Sequence, residues 1–344
     1  MGKVTLKDLA DELGISTAAV SKALRGQKGV SEELRQQVVD LAGKKGYEIR
    51  SHEAETLFYK VSVLVPERFV SSGQSFYWAL YQELAREARY LRINLYLEVV
   101  DAEAEDHCAL PAAGLPGNAQ AAVVMGAFHS PYKRMLTERL RLPLVWLDTE
   151  TRTQGADIVV SDNIEGGFFM AEYLLERGHR EIGYFGTLLQ TESIDNRYLG
   201  FCKALLLHGI DPQKDHRFPD RTADGRTFGA EEINELLPAK LPTAFFCNCD
   251  SSADRLIEAL ALRGLSVPGD ISVVGFDNFS GHPGTEGQVT TWAIDIRAMA
   301  RRTIHILSHQ LAKESYSPGK FILPGHLIER DSVKTIGPAI PSLV

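Results

Sequence analysis

Beyond residue 60 the chain alternates between short apolar runs and helical stretches, and this alternation restricts its architecture more than any other feature. Val61–Pro66, Ile93–Asp101, Ala121–Gly126, Leu144–Asp148, Ile158–Ser161, Ile182–Gly186, Ala244–Cys247 and Ile271–Phe276 read as strands. Helices read between most of them: Phe76–Leu91, Pro131–Leu140, Glu165–Arg177, Asn196–His208, Thr227–Leu237, Ser252–Arg263 and Ile296–Leu311. Strands joined by crossover helices form parallel sheets covered on both faces. The roughly 280 residues past the head exceed a single hydrophobic core, so two such lobes are expected. Residues 102–120, with Pro111, Gly114, Pro116 and Gly117, read as a loop.

Ligands of open parallel sheets sit beyond the carboxyl ends of the strands. The polar residues there are Asp148, Asp162, Ser193, Arg197, Asp250 and Asp277. Carboxylates and an arginine in a cleft bind sugar hydroxyls through charge-assisted hydrogen bonds. Each aspartate also reads as a helix cap or turn residue. That is the better reading for Asp250, which precedes the helical start Ser251-Ser252-Ala253. Arg197 begins a helix, where a cation is unfavourable, and so calls for another reason.

The first fifty residues are different. Thr5 and Asp8 are spaced as a capping box, and Leu6, Leu9, Ala10 and Leu13 share one helical face. Gly14 suits a left-handed helix end. Ser16 caps a second helix, Thr17 to Leu24, with Val20, Ala23 and Leu24 inward and Thr17, Ala18, Ser21 and Lys22 outward. Ser31 caps a third helix carrying Leu34, Val38 and Leu41, and Gly46-Tyr47 closes the unit. Two short helices about a tight turn make a helix-turn-helix, whose second helix can enter the major groove. A plain three-helix bundle is the alternative.

The motifs are more specific than the pattern. Val4-Thr5-Leu6-Lys7-Asp8-Leu9-Ala10, Gly14-Ile15-Ser16, Val20-Ser21-Lys22-Ala23-Leu24 and Val30-Ser31 closely resemble the head of lac repressor/gal repressor (LacI/GalR) family transcription regulators. Further on, Val160-Ser161-Asp162-Asn163, Gly178-His179-Arg180, Val273-Val274-Gly275-Phe276-Asp277-Asn278 and Leu327-Ile328-Glu329-Arg330-Asp331-Ser332 look like blocks of the same family. The resemblance implies a small all-α helix-turn-helix head (1–47), a hinge or linker (48–60) and an α/β effector domain (61–344) of two lobes. Each lobe is a parallel sheet flanked by helices, as in periplasmic binding proteins. The N-lobe would span about 61–162 plus 293–323, and the C-lobe 163–292 plus 324–344.

The resemblance also implies partners and roles. Double-stranded DNA, a near-palindromic operator, would be contacted by Thr5, Ser16, Thr17, Ala18, Ser21, Lys22, Arg25, Ser31 and Tyr47. Lys22 stands where Arg is usual in the family and Arg25 where Asn is usual. Ala54-Glu55-Thr56-Leu57 resembles a shifted hinge motif with Leu57 as a minor-groove wedge, or is an ordinary linker. A small-molecule effector, a sugar or sugar derivative, would meet Phe76, Tyr77, Asp148, Asp162, Ser193, Arg197 and Asp277 between the lobes. The family's Asn before Asp250 is Cys249 here, and its aromatic ahead of the Gly229 helix has no evident counterpart, with Asp224 and Arg226 near the position. A homodimer, joined through the Phe76–Leu91 helix and its neighbours, would match the two-fold operator.

Composition bounds these readings. The net charge is -8, but residues 1–50 carry nine Lys/Arg against seven Asp/Glu, while the rest carries 28 against 38. A mildly basic head on an acidic body fits DNA at one end only. No apolar run of 18 residues and no secretory leader is evident, so a cytoplasmic protein without membrane contact is expected. Cys108, Cys202, Cys247 and Cys249 suggest neither a disulfide framework nor a metal site, and no cofactor is implied. Catalytic signatures such as G-x-S-x-G or H-E-x-x-H are missing, so no enzymatic activity is expected. The competing functions are a periplasmic-type sugar receptor, an α/β enzyme, and a regulator whose effector is a nucleobase or a protein.

Overall fold

A computed structural model describes residues 4–24, 29–45, 47, 58–71, 75–111, 115, 118–212, 216–279 and 287–337. The head holds α1 (Leu6–Leu13), α2 (Thr17–Leu24) and α3 (Glu32–Lys45). The Asp8 amide donates to Thr5 Oγ1 at 3.3 Å, and the Thr5 amide donates to Asp8 Oδ2 at 2.7 Å, which completes the capping box. Gly14 ends α1 at φ +62°, a conformation strained for other residues. Ser16 and Ser31 accept from the amides of Ala19 and Leu34 at 3.1 and 3.2 Å and so start α2 and α3. Leu9, Ala10, Val20, Ala23, Leu24, Val38 and Ala42 are buried together as the head's own core.

In the N-lobe, β1 (Tyr59–Pro66), β2 (Ile93–Val100), β3 (Ala121–Met125), β4 (Leu144–Leu147), β5 (Asp157–Ser161) and β11 (Lys320–Leu323) form one sheet in the order β11-β5-β4-β3-β1-β2. All its pairings are parallel. In the C-lobe, β6 (Ile182–Phe185), β7 (Arg217–Phe218), β8 (Ala244–Cys247), β9 (Ser272–Asp277), β10 (Thr290–Ile294) and β12 (Gly325–Ile328) run in the order β12-β10-β9-β8-β6-β7. Here β12 lies antiparallel to β10, a departure from the all-parallel expectation. Four short strands, β7, β10, β11 and β12, lie outside the eight expected. Each is at or near a sheet edge, where a strand need not be a continuous apolar run.

The helices of the body are α4 (Phe76–Ala88), α5 (Ala102–Asp106), α6 (Ser130–Arg139), α7 (Asn163–Glu176), α8 (Glu192–Leu207), α9 (Ala230–Leu236), α10 (Asp250–Leu262) and α11 (Ile296–Ala312). The short α5 replaces the start of the expected loop because Asp101 caps it, accepting from the Ala104 amide at 2.7 Å. The chain passes between lobes after β5, after β10, where α11 returns to pack on α4, and between β11 and β12. The central strands are buried throughout; Val61, Val63 and Val65 on one face of the N-lobe sheet and Phe245, Phe246 and Phe276 in the C-lobe are wholly inaccessible. Each such side chain contributes roughly 1.5–3 kcal/mol of transfer free energy.

Helices α7 and α8 cross closely through glycines. A Cβ on Gly167 would lie 2.2 Å from the Arg197 carbonyl oxygen, and one on Gly200 would lie 2.1 Å from that of Ile164. In an ordinary helix interior, Gly→Ala stabilises by about 0.5–1 kcal/mol. Here the sign reverses: Gly200→Ala is expected to destabilise by ~1–3 kcal/mol or more, because both helix backbones must separate. A urea unfolding midpoint equal to or above that of the unchanged protein overturns this packing argument.

Candidate functional site

Two surfaces come out of this fold. On the head, α2 presents Thr17, Ala18 and Lys22 to solvent, while Ser21 is half-buried. The Tyr47 amide donates to the Ala42 carbonyl at 2.9 Å, and its side chain packs beside the head core. Thr5, Ser16 and Ser31 are exposed caps. The expectations for Arg25, Leu57 and the hinge motif lie outside the described residues.

The second surface is the cleft. Asp148 follows β4 in the left-handed region (φ 53°) and is 5% exposed. Tyr77, in the first turn of α4, donates its hydroxyl to Asp148 Oδ2 at 2.8 Å. Its ring stacks on Phe69 with centroids 4.5 Å apart, and Phe76 packs edge-on against it at 5.4 Å. Gly126 (φ +85°) supports the pair: a Cβ there would meet both rings at 3.0 Å. Burial raises the Asp148 carboxyl above the usual range, against the opposing pull of the Tyr77 hydroxyl and the Arg197 charge.

From the other lobe, Ser193 Oγ reaches Asp148 Oδ1 at 3.4 Å. Helix α8 starts four residues earlier than expected, since Thr191 caps it by accepting from the Ile194 amide at 3.1 Å. That places Ser193 in the first turn and Arg197 in the second, inside the helix rather than at its start. Arg197 is 6% exposed. Its Nε donates to Asn163 Oδ1 at 2.8 Å, its Nη1 donates to the Asn248 carbonyl at 2.5 Å, and the guanidinium lies 4.0 Å from the Phe276 ring centre. Asp277 follows Phe276 at φ 85° and accepts from the Phe279 amide at 3.0 Å.

The structure sorts the expected cleft residues. Tyr77, Asp148 and Ser193 meet directly across the two lobes, and Arg197 and Asp277 stand within electrostatic reach of them. Asp162 caps α7 instead, accepting from the Glu165 amide at 2.9 Å; its neighbour Asn163 is the residue that holds Arg197. Asp250 is not the N-cap it was expected to be. Cys249 occupies the cap, and Asp250 begins α10 with its Oδ2 accepting from the Phe279 amide at 3.1 Å. Arg226 is turned away to Glu232, and Phe228, the aromatic directly ahead of Gly229, packs against the C-lobe core. Sequence reasoning also missed Lys133, which is 7% exposed on the N-lobe helix α6, donates to the Glu150 carbonyl at 2.8 Å and pairs with Glu192 of α8. A lysine on an otherwise apolar helical face was its only signal. Among the described residues no cluster of three or more His, Cys, Asp or Glu is arranged to hold a metal ion.

Comparison with known proteins agrees with this architecture. Residues 5–48 match bacterial regulatory proteins of the lacI family, and residues 171–333 match the periplasmic binding protein-like domain. The chain belongs to the LacI family. A relative is the HTH-type transcriptional repressor PurR of Glaesserella parasuis serovar 5 (strain SH0165), 26% identical over 96% of this chain and 99% of that protein. In fold, the chain resembles the lac repressor dimer bound to operator and the anti-inducer ONPF (TM-score 0.74, 20% identity, 97% of this chain and 100% of that one). It also resembles the transcriptional regulator CelR in complex with cellobiose (TM-score 0.66, 21% identity, 96% and 100%). As a LacI-family member the chain is a DNA-binding transcription regulator with an effector-binding domain, and not an enzyme. No described helix is long and apolar enough to cross a membrane.

Asp277 and Asp250 share one corner of the C-lobe. Burial raises both: Asp277 reaches about 7 against the pull of the Arg197 charge, and Asp250 is pushed up further by the neighbouring Asp277 carboxyl. A carboxyl raised in the folded state costs stability as pH climbs from its unfolded value near ~4 through its folded value. Asp277→Asn removes that cost. Its melting temperature should therefore gain on the unchanged protein between about pH 4 and pH 7 and hold a constant lead above. Parallel melting curves across that range refute the assignment.

Proposed function

We propose that this protein is a homodimeric transcriptional repressor whose operator affinity is set by a sugar or sugar derivative held between its lobes. The observation that carries the reading is a single chain that combines an exposed recognition helix, α2, with a cleft gathering Tyr77, Asp148, Ser193, Arg197 and Asp277 from two lobes. Carboxylates and a fixed guanidinium suit hydroxyl groups, and Tyr77 with Phe76 supplies an aromatic wall for a ring. A solved structure of the same fold holds cellobiose, in keeping with a carbohydrate effector. Acting on DNA places the protein in the cytoplasm.

The dimer reading rests on α4 and the edge strand β2. Trp78 and Tyr81 stack there at 5.7 Å, and Tyr90, Leu91, Tyr96 and Val99 are exposed beside them. An apolar patch on an edge strand marks an association surface. Sedimentation at micromolar concentration checks this; a monomer that still binds its operator tightly overturns it.

Lys22 and Thr17 carry base readout, and Arg197 and Asp277 bind the effector. Lys22→Ala should weaken operator binding by ~1–3 kcal/mol and relax preference at one position of each half-site. An equal loss on every sequence would make Lys22 a phosphate contact. Arg197→Ala should leave unliganded operator binding intact while effector affinity falls by ~2–5 kcal/mol, since a buried partner is lost. Calorimetry showing unchanged effector affinity sinks the cleft assignment.

A further inference from the structure

Arg197 has a second guanidinium for a neighbour. Asp220 and Arg221 lie just past β7, and Asn248, just past β8, joins Asp220 to Arg197. Asp220 is 2% exposed and accepts from the Thr187 amide at 2.9 Å, Asn248 Nδ2 at 2.7 Å and Ser252 Oγ at 2.7 Å. Arg221 adds Nε and Nη2 to the same carboxylate at 3.0 and 2.6 Å. One residue links the two arginines: Asn248 gives its carbonyl to Arg197 and its side-chain amide to Asp220. Both guanidiniums are thereby fixed, and each keeps one terminal nitrogen, Arg197 Nη2 and Arg221 Nη1, without an acceptor among the described residues.

Among the described residues Arg197 makes no ion pair within 4.0 Å, and the carboxylate that Arg221 pairs with is already shared with three other donors. Burial alone would raise Asp220; the Arg221 charge and these hydrogen bonds hold it well below the usual range. The pair is therefore permanently charged at any physiological pH. A fixed guanidinium edge is best matched by a planar carboxylate. A neutral sugar offers it only weaker acceptors. A phosphate dianion would bring a second negative charge toward Asp148, Asp277 and Asp250. Those same aspartates are acceptors for hydroxyl donors.

Resting on the cleft reading above, we propose that the effector is a polyhydroxylated carboxylic acid, its carboxylate taken by the free edges of Arg221 and Arg197 and its hydroxyls by Asp148 and Asp277. The test uses the full-length protein, thermal shift and calorimetry. The probes are D-glucuronate, D-galacturonate and D-gluconate, with D-glucose, D-galactose, glucose 6-phosphate and adenine as comparators. At least one carboxylate should raise the melting temperature and bind at least tenfold more tightly than its neutral counterpart. Arg221→Gln should erase that preference, and Arg221→Lys, which keeps the charge but not the fork, should reduce it by a smaller factor. Circular dichroism of both variants reports the fold, and the lysine variant carries the test if the glutamine variant unfolds. The proposal is overturned if no carboxylate shifts the unchanged protein, if a neutral sugar, the phosphate or adenine binds as tightly, or if the preference survives in both variants. Failure of the cleft reading itself looks different: whichever probe binds would then bind Arg197→Ala equally well. A neutral probe lost in Arg197→Ala but indifferent to Arg221 sinks the carboxylate and keeps the cleft.

Discussion

A guanidinium taken out of water must find its acceptors inside the protein, and the C-lobe is arranged around that requirement at Arg197. An uncompensated buried charge costs several kcal/mol, so its partners come from three separate elements. Asn163 opens α7, Asn248 follows β8, and the Phe276 ring lies on β9. None of these contacts forms unless α7 and α8 touch backbone to backbone. Gly167 sits against the Arg197 backbone itself, so the glycine crossing sets the height at which the guanidinium emerges. The helix packing and the binding group are one construction. This is why a cation stands in the second turn of α8, where it gains little from the helix dipole.

The lobes meet through a small number of polar contacts. Ser193 reaches Asp148, Lys133 reaches Glu192 and Asn196 reaches Glu150, all linking the start of α8 to the N-lobe. Polar contacts grouped at the start of one helix leave the lobes able to change their angle at modest cost. A ligand influences such an equilibrium only through unequal affinity for its two ends. The proposed site meets that condition, because Tyr77 and Asp148 belong to one lobe and Arg197 and Asp277 to the other. A molecule touching all four is bound fully only when the lobes are close. Each N-lobe continues into a head through residues 48–57, so a change of lobe angle in a dimer changes the spacing of two recognition helices.

Much of this was legible in the residues. Short continuous apolar runs and period-3.6 patterns located the central strands and nearly all the helices, since a buried strand or amphipathic helix has little freedom in composition. The head was readable down to its caps, because Thr5, Asp8, Gly14, Ser16 and Ser31 each satisfy a local backbone need that the sequence displays. What stayed hidden is long-range. That Asn163 rather than Asp162 serves Arg197 depends on which side of the first turn of α7 faces α8. That Arg221 pairs with Asp220 while Arg226 turns to Glu232 depends on the path of the chain past β7, and a two-residue strand has no periodicity to read. The Lys133 to Glu192 pair joins positions 59 residues apart on different lobes, and nothing local announces it.

The distribution of charge completes the argument. A body with ten more acidic than basic residues repels DNA at long range, while the head carries an excess of two positive charges. Nonspecific affinity for DNA scales with the phosphates neutralised, so a head this weakly basic gains little from the backbone alone. On the proposed reading, discrimination comes from short-range contacts along α2, where Thr17 and Ala18 are small and exposed. In the proposed dimer, two such heads multiply a modest single-site preference. The same weak backbone attraction makes the complex responsive: when little binding energy comes from charge alone, a small misplacement of the second head is enough to lose the operator. Weak basicity of the head and rotation of the lobes are therefore complementary, since the first leaves operator affinity within range of the few kcal/mol that a ligand in the cleft can supply.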